Sequence, residues 1–479
     1  MRLRTSIPPL DTGCTSIFFC SLSRRFLFYI SSIFVMLSKE EQELAIGKLI
    51  ELVRFPTVSA SAPLDCSYDA CAAWLVQQLS HIGLEAFILP ESVPHKPIVV
   101  GVWKGSHGDH LPCVVLNSHY DVVPVILEHW NVPAFEGLVR DNRIYGRGTQ
   151  DMKCVCAQYL VALEKLKKTG FVPKRTIVVT YVPDEEIGGI DGMNVLLNSP
   201  WFKQQRIGVA LDEGLANTSD VFSVFYGERL PWWVHVSATG STGHGSRFIE
   251  GNAVAQVIQV CNKALAYREA QRILLHGEDN EHVACSHAVA KKKELTLGDV
   301  TTINVTMLRA GVQAAGKDII NVIPPQAEAG FDIRISPHVD PKEIAGMLDS
   351  WCAEVNQVYA PHLTANQGVT WKFFYEPLKE HAVTQTDASN PWWGIFSSLI
   401  KEKFHVDVVP QVFPAATDSR FLRAMGVNAF GFSPMRNCPI LLHEHNENIE
   451  EKVYLEGCEV YLKLIPALAM ASQLAHELD

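Results

Sequence analysis

Five short runs of acids and histidines punctuate this chain, and most of them follow directly on an apolar stretch of strand length. The stretches 98–103, 113–117, 175–182 and 207–211 read as strands, and the amphipathic pattern 152–168, stopped at Gly170, reads as a helix between them. Strand, helix, strand in that order indicates an α/β domain with a parallel or mixed sheet. The runs are Ser118-His119-Tyr120-Asp121, Asp151 behind Gly146 and Gly148, Asp184-Glu185-Glu186, Asp212-Glu213, and His443-Glu444-His445-Asn446-Glu447. If each lies at the C-terminal end of a strand, all five converge on one edge of the sheet, where such folds place their sites.

The rhythm changes near Gly227. Strand-like 232–239, helical 252–272, strand-like 301–308 and 326–336, helical 341–356 and strand-like 369–375 give the order βαββαβ of a compact ferredoxin-like unit. A polar stretch, 277–293, reads as a long loop inside it. After Pro377 the α/β character returns, with helices expected over 391–404 and 450–474 and a short strand over 427–430. The expected architecture is therefore an α/β catalytic domain with a central mixed sheet, formed by 36–227 and 379–479, and interrupted by an inserted domain over 228–378.

The first 35 residues differ from the rest: four arginines, one acid and a short apolar run that is too brief to span a bilayer as a helix. They read as a targeting or accessory extension, or as a product of start-site choice, and Ser38 behind them reads as the cap of the first helix. No later segment is expected to cross a membrane. A formal charge of −11 argues against a nucleic-acid partner, which needs a basic face. The 12 cysteines form no Cys-x-x-Cys ladder, so they are expected to be free or buried thiols in a reducing, cytoplasmic setting.

Taken singly, the clusters are ambiguous. His119 and Asp121 point the same way on an extended chain, so the acid can orient the imidazole, although such pairs are often structural. Asp151 ahead of a helix could simply be an N-cap. Three adjacent acids at 184–186 repel and need a cation or a proton between them, and the two glycines that follow imply an unusual backbone. Taken together, carboxylates mixed with imidazoles suit paired divalent ions such as zinc, whereas a structural zinc site would favour thiolates. At two places the residues leave a choice open: Asp212 or Glu213, and His443 or His445.

The segments 116–125, 147–155, 182–189, 210–214, 414–420 and 441–445 resemble, in order and spacing, the M20 family of dinuclear zinc amidohydrolases and peptidases, from about Lys39 to the C-terminus. The resemblance implies that two zinc ions bind per subunit, one to His119, Asp151 and Glu213, the other to Asp151, Glu186 and His443, with Asp151 bridging. It implies that Glu185 is the general base and that Asp121 orients His119. The segment around His244 resembles one whose histidine reaches the active site of a neighbouring subunit, which implies a homodimer with composite sites. Asn321 and Arg420 resemble substrate-binding positions, the arginine by pairing with a carboxylate. The implied reaction is hydrolysis of N-acyl-L-amino acids. A dipeptidase or carboxypeptidase with the same metals is the alternative, and a non-catalytic binding protein on this fold is disfavoured because no expected ligand or base is missing.

Overall fold

The computed structural model describes residues 36–277, 295–474 and 477. The extension 1–35 and nearly all of the expected loop over 277–293 lie outside the described residues. The first helix, α1 (Lys39–Val53), opens with a capping box in which Ser38 and Glu41 exchange hydrogen bonds. Its partners on the same side of the main sheet are α2 (Ser67–Ile82) and α3 (Lys153–Lys168).

That sheet has eight strands. In chain order they are β1 (Glu85–Ile88), β2 (Val99–Trp103), β3 (Cys113–His119), β4 (Ile177–Val182), β5 (Ile207–Asp212) and β6 (Val221–Glu228), joined late in the chain by β11 (Asp407–Phe413) and β12 (Asn428–Gly431). The spatial order is β1-β2-β4-β3-β5-β12-β6-β11. The central run β4-β3-β5-β12 is parallel, and β1, β2 and β6 bring antiparallel pairs, so the sheet is mixed. Alternation along β3 shows why it must be central. Val114 and Leu116 face the core formed with α3 and the terminal helix, while Val115 faces a second core with Met193, Leu196 and Leu422. The helix over 153–168 is buried along most of its length, more than its amphipathic pattern suggests, because the terminal helix (Glu451–Ala469) covers its outer side.

Two strands of this sheet escape a reading of the sequence. β11 carries Pro410, which cannot donate to a ladder and so argues against a strand; it is tolerated because β11 is the sheet edge. β6 runs almost directly into the next strand, so the two read as one apolar stretch. The residue between them, Arg229, is buried at the junction of the two sheets. Its guanidinium donates to the Pro414 carbonyl on one side and to Thr302 on the other, tying the two sheets together.

The second sheet holds β7 (Leu230–Thr239), β8 (Thr302–Ala310), β9 (Gln326–Ile335) and β10 (Gly368–Phe373), all antiparallel, in the order β8-β9-β7-β10. Helices α4 (Ala253–His276) and α5 (Pro341–Tyr359) cover one face, completing βαββαβ. Along β7 every second residue, Trp232, Val234, Val236 and Ala238, is buried against those helices, while Trp233 is half exposed on the other face.

Candidate metal centre

Three of the five clusters do sit where parallel strands of the main sheet end: His119 closes β3, Asp184 to Glu186 follow β4, and Asp212 closes β5. The other two correct the expectation that all five follow strands of that sheet. Asp151 and His443 arrive from the side, on loops held by a small sheet in which 143–145 pairs with 138–140 and with 448–450.

His119 is fully buried. Its Nδ1 donates to the main-chain carbonyl of Asp121 at 3.0 Å, with the Asp121 carboxylate at 3.3 Å, which leaves Nε2 facing outward. Nε2 lies 3.2 Å from Asp151 Oδ1 and 3.5 Å from Glu213 Oε2. The Asp121 carboxylate is mostly engaged elsewhere, accepting the main-chain N–H groups of Glu185 and Glu186 at 3.1 and 3.2 Å. One aspartate thus sets both the ring of His119 and the turn that presents the two glutamates.

That turn needs its glycines. Asp184 is left-handed (φ 59°), Glu185 to Ile187 make one tight turn, and Gly188 and Gly189 follow at φ 113° and 68°. A Cβ on Gly189 would lie 2.6 Å from Asp418 Oδ1. Lys96 grips the base of the turn, 3.5 Å from Asp184 and 2.7 Å from Asp191.

On the other side, His443 Nε2 lies 3.3 Å from Asp151 Oδ2 and 3.1 Å from Glu186 Oε2. The two oxygens of Asp151 therefore face different histidines. Asp151 is not the cap of α3; that position is Met152, and no side chain caps the helix. Donor atoms of Asp151, Glu186 and His443 lie within 4.8 Å of one another, as do those of His119, Glu185 and Glu213. Glu185 is thus near the first histidine as well, and it lies 3.8 Å from Arg420 Nη1.

At the two places left open, the members of each pair have different surroundings. Asp212 is committed to Asn117 and to Ser419 at 3.0 and 2.7 Å, away from His119, whereas Glu213 faces it. His445 packs edge-on against His129, with 3.2 Å between ring nitrogens, and His443 alone of the pair meets the acids.

The charges of the site demand cations. Burial and the neighbouring Glu213 push the Glu185 carboxyl well up, and burial with Asp151 pushes Glu186 up to about 7. Burial likewise drives Glu213 upward. The Asp151 and Glu186 carboxylates raise His443 to about 10, and Glu213 with Asp121 and Asp151 raises His119 against the opposing effect of its burial. Cations placed between these groups would neutralise the same carboxylates. The residues present fit a pair of metal ions: hard oxygens, two imidazoles and a carboxylate between them.

The supporting residue that sequence reasoning did not single out for a role of its own is Glu447. Fully buried, it accepts from the main-chain N–H groups of Gly148, Gln150 and Asp151 at 3.1, 2.6 and 3.2 Å and from Arg147 at 2.8 Å. Arg147 also donates to the carbonyls of His443 and Glu444. The loops carrying Asp151 and His443 are therefore clasped together by one ion pair. Its only trace in the sequence is the spacing of four residues from His443.

The remaining expected site residues lie in two places. Arg420 donates to the carbonyls of Thr417 and Gly188, so it stands against the glutamate turn. His244 and Asn321 are neighbours on a short ladder in which His244 pairs with Val322 and the Gly245 N–H donates to the Asn321 carbonyl at 2.7 Å. The Ser246 N–H donates to His244 Nδ1 and the Ser246 hydroxyl lies 2.7 Å from the same nitrogen, which leaves Nε2 without a hydrogen bond among the described residues. Among the described residues, no hydrogen bond or ion pair joins His244 or the Asn321 side chain to the metal-centre residues.

An open α/β sheet ending in two carboxylate–imidazole clusters, with one aspartate facing both, has the arrangement of a dinuclear metal hydrolase. Residues 115–467 match the model of peptidase family M20/M25/M40, and the chain belongs to that family. It is 43% identical to aminoacylase-1 of Dictyostelium discoideum over 407 residues, covering 84% of this chain and 92% of that protein. It is 41% identical to human aminoacylase-1 over 431 residues, covering 90% and 96%. Solved structures with the same fold include human carnosine dipeptidase 1 (TM-score 0.63, 14% identity, 94% and 99% covered). Another is a Bacillus subtilis dinuclear metal-binding peptidase of the M20 family (TM-score 0.62, 14% identity, 90% and 99% covered).

Proposed function

We propose that this protein hydrolyses the amide bond of N-acyl-L-amino acids, releasing a carboxylate and a free L-amino acid. The observation that carries the reading is Asp151, whose two carboxylate oxygens face the two histidines of two separate ligand clusters. The identity to aminoacylase-1 over most of both chains supports the acylated substrate over a dipeptide.

His119, Asp151 and Glu213 would hold one zinc ion, and Asp151, Glu186 and His443 the other. When bound, such a pair supplies Lewis acidity that polarises a carbonyl and makes water acidic near neutral pH. Glu185, left free of metal, would take the proton of the attacking water. It returns that proton to the departing nitrogen. Asp121 keeps His119 in the ligating tautomer and fixes the backbone of Glu185. Arg420 pairs with the substrate carboxylate from beside the base, and Asn321 binds substrate from the inserted domain.

His244 supplies a hydrogen-bond donor for the developing oxyanion in the partner subunit's site, which makes the protein a homodimer. Its free Nε2 and the exposed apolar side chains of Phe248 and Ile320 near it and Asn321 support this arrangement. The free cysteines among the described residues, nearly all buried, support a cytoplasmic setting. No described helix is long and apolar enough to cross a membrane.

Turnover of N-acetyl-methionine against simple dipeptides tests the reading. Zinc-loaded protein is expected to cleave the acylated amino acid; cleavage of the dipeptides alone would overturn the assignment and leave an M20 dipeptidase.

A further inference from the structure

A second constellation of ligand types lies away from the dinuclear centre. Cys66 occupies the N-cap of α2, Asp69 lies in the first turn of that helix, and His95 lies on the loop between β1 and β2. One donor atom from each falls within 4.8 Å of the others. His95 Nδ1 and Asp69 Oδ2 are already 2.9 Å apart. We propose that Cys66, Asp69 and His95 form a separate metal site for a thiophilic divalent ion such as zinc, with its fourth position open to solvent.

The geometry is close to what the ion requires. Zinc bonds of about 2.0–2.3 Å place tetrahedral donors about 3.3–3.8 Å apart, so a modest rotation of partly exposed side chains closes the gap. The donor set carries the selectivity. Sulfur, nitrogen and one carboxylate oxygen together favour zinc over magnesium or calcium, which take oxygen. Cys66 is also the one exposed free cysteine among the described residues; the eight others are buried. The alternative, that Asp69 and His95 only tie a helix to a loop, leaves the convergence of the thiol on the same point unexplained.

The position gives the site a structural consequence. His95 lies in a turn closed by the Lys96 N–H and the Val93 carbonyl at 2.9 Å, and Lys96 holds Asp184 and Asp191 at the base of the glutamate turn. An ion at Cys66, Asp69 and His95 fixes the segment from which Lys96 reaches that turn.

Holoenzyme with its two catalytic ions in place is titrated with Co2+. One further equivalent is expected, with a thiolate-to-cobalt charge-transfer band that the oxygen and nitrogen ligands of the dinuclear centre do not produce. Cys66→Ser and His95→Ala each remove that equivalent and the band while keeping the other two ions. Alkylation of Cys66, read as the difference between wild type and Cys66→Ser, gives a second readout. Zinc at about ten times its dissociation constant leaves roughly one site in ten open and slows the reaction about tenfold. Equal metal content in wild type and Cys66→Ser, or an alkylation rate that zinc does not change, overturns the proposal.

Discussion

Replacing Glu185 with Gln is expected to lower turnover by about two to four orders of magnitude, the range that a positioned general base contributes, with both metal ions retained. The variant tests the proton-transfer role against a ligand role, since the Glu185 carboxylate also lies with His119 and Glu213, and retention of both ions separates the two. The Glu185 main chain is held through its N–H by Asp121, which the substitution does not touch, and Gln keeps the volume of the side chain. Arg420 approaches it only to 3.8 Å and keeps its bonds to the Thr417 and Gly188 carbonyls. Removing one of several buried acids also relieves repulsion with Glu213 and Glu186, so the metal-free variant should melt no lower than wild type. Steady-state kinetics with metal analysis reads both effects. Near-normal turnover in a metal-replete Glu185→Gln protein would remove Glu185 from the mechanism.

Asp151→Ala should empty both metal positions together, whereas His119→Ala should mainly release the ion next to Glu213. The difference follows from the carboxylate that faces both histidines, 3.2 Å from His119 and 3.3 Å from His443. The fold should survive, because the contact of that loop with Glu447 runs through the main-chain N–H groups of Gly148, Gln150 and Asp151 rather than through the Asp151 side chain. Elemental analysis after dialysis, with circular dichroism to verify folding, distinguishes the cases. An Asp151→Ala protein that retains one tightly held ion would show that the two positions do not share this ligand.

What could be read from the residues depended on how local each signal is. His119 with Asp121, the acids after β4 and the pair Asp212-Glu213 stand at the ends of apolar runs, so periodicity alone brings them to one edge. The order βαββαβ was also legible, since β7 alternates residue by residue and the helix Pro341–Tyr359 keeps a clear apolar face. Asp151 was harder, because an aspartate ahead of a helix has an ordinary capping explanation. Glu447 and Arg147 could not be found that way at all. They act on each other across 300 residues of chain, and only the folded arrangement shows that they clasp the two loops. Lys96 is similar, an unremarkable loop lysine until its contact with Asp184 is seen. Pro410 is the opposite case, a residue that breaks ladders standing in a strand that tolerates it only at an edge.

If one aspartate organises two metal ions for amide hydrolysis, anomalous diffraction from zinc-loaded crystals will locate both ions on it. The expected result is two peaks about 3.5–4 Å apart, each bonded to one oxygen of Asp151, with His119 and Glu213 on one ion, Glu186 and His443 on the other, and Glu185 on neither. A single peak, or two peaks with Glu185 as a ligand and Asp151 bound to one ion alone, would contradict it.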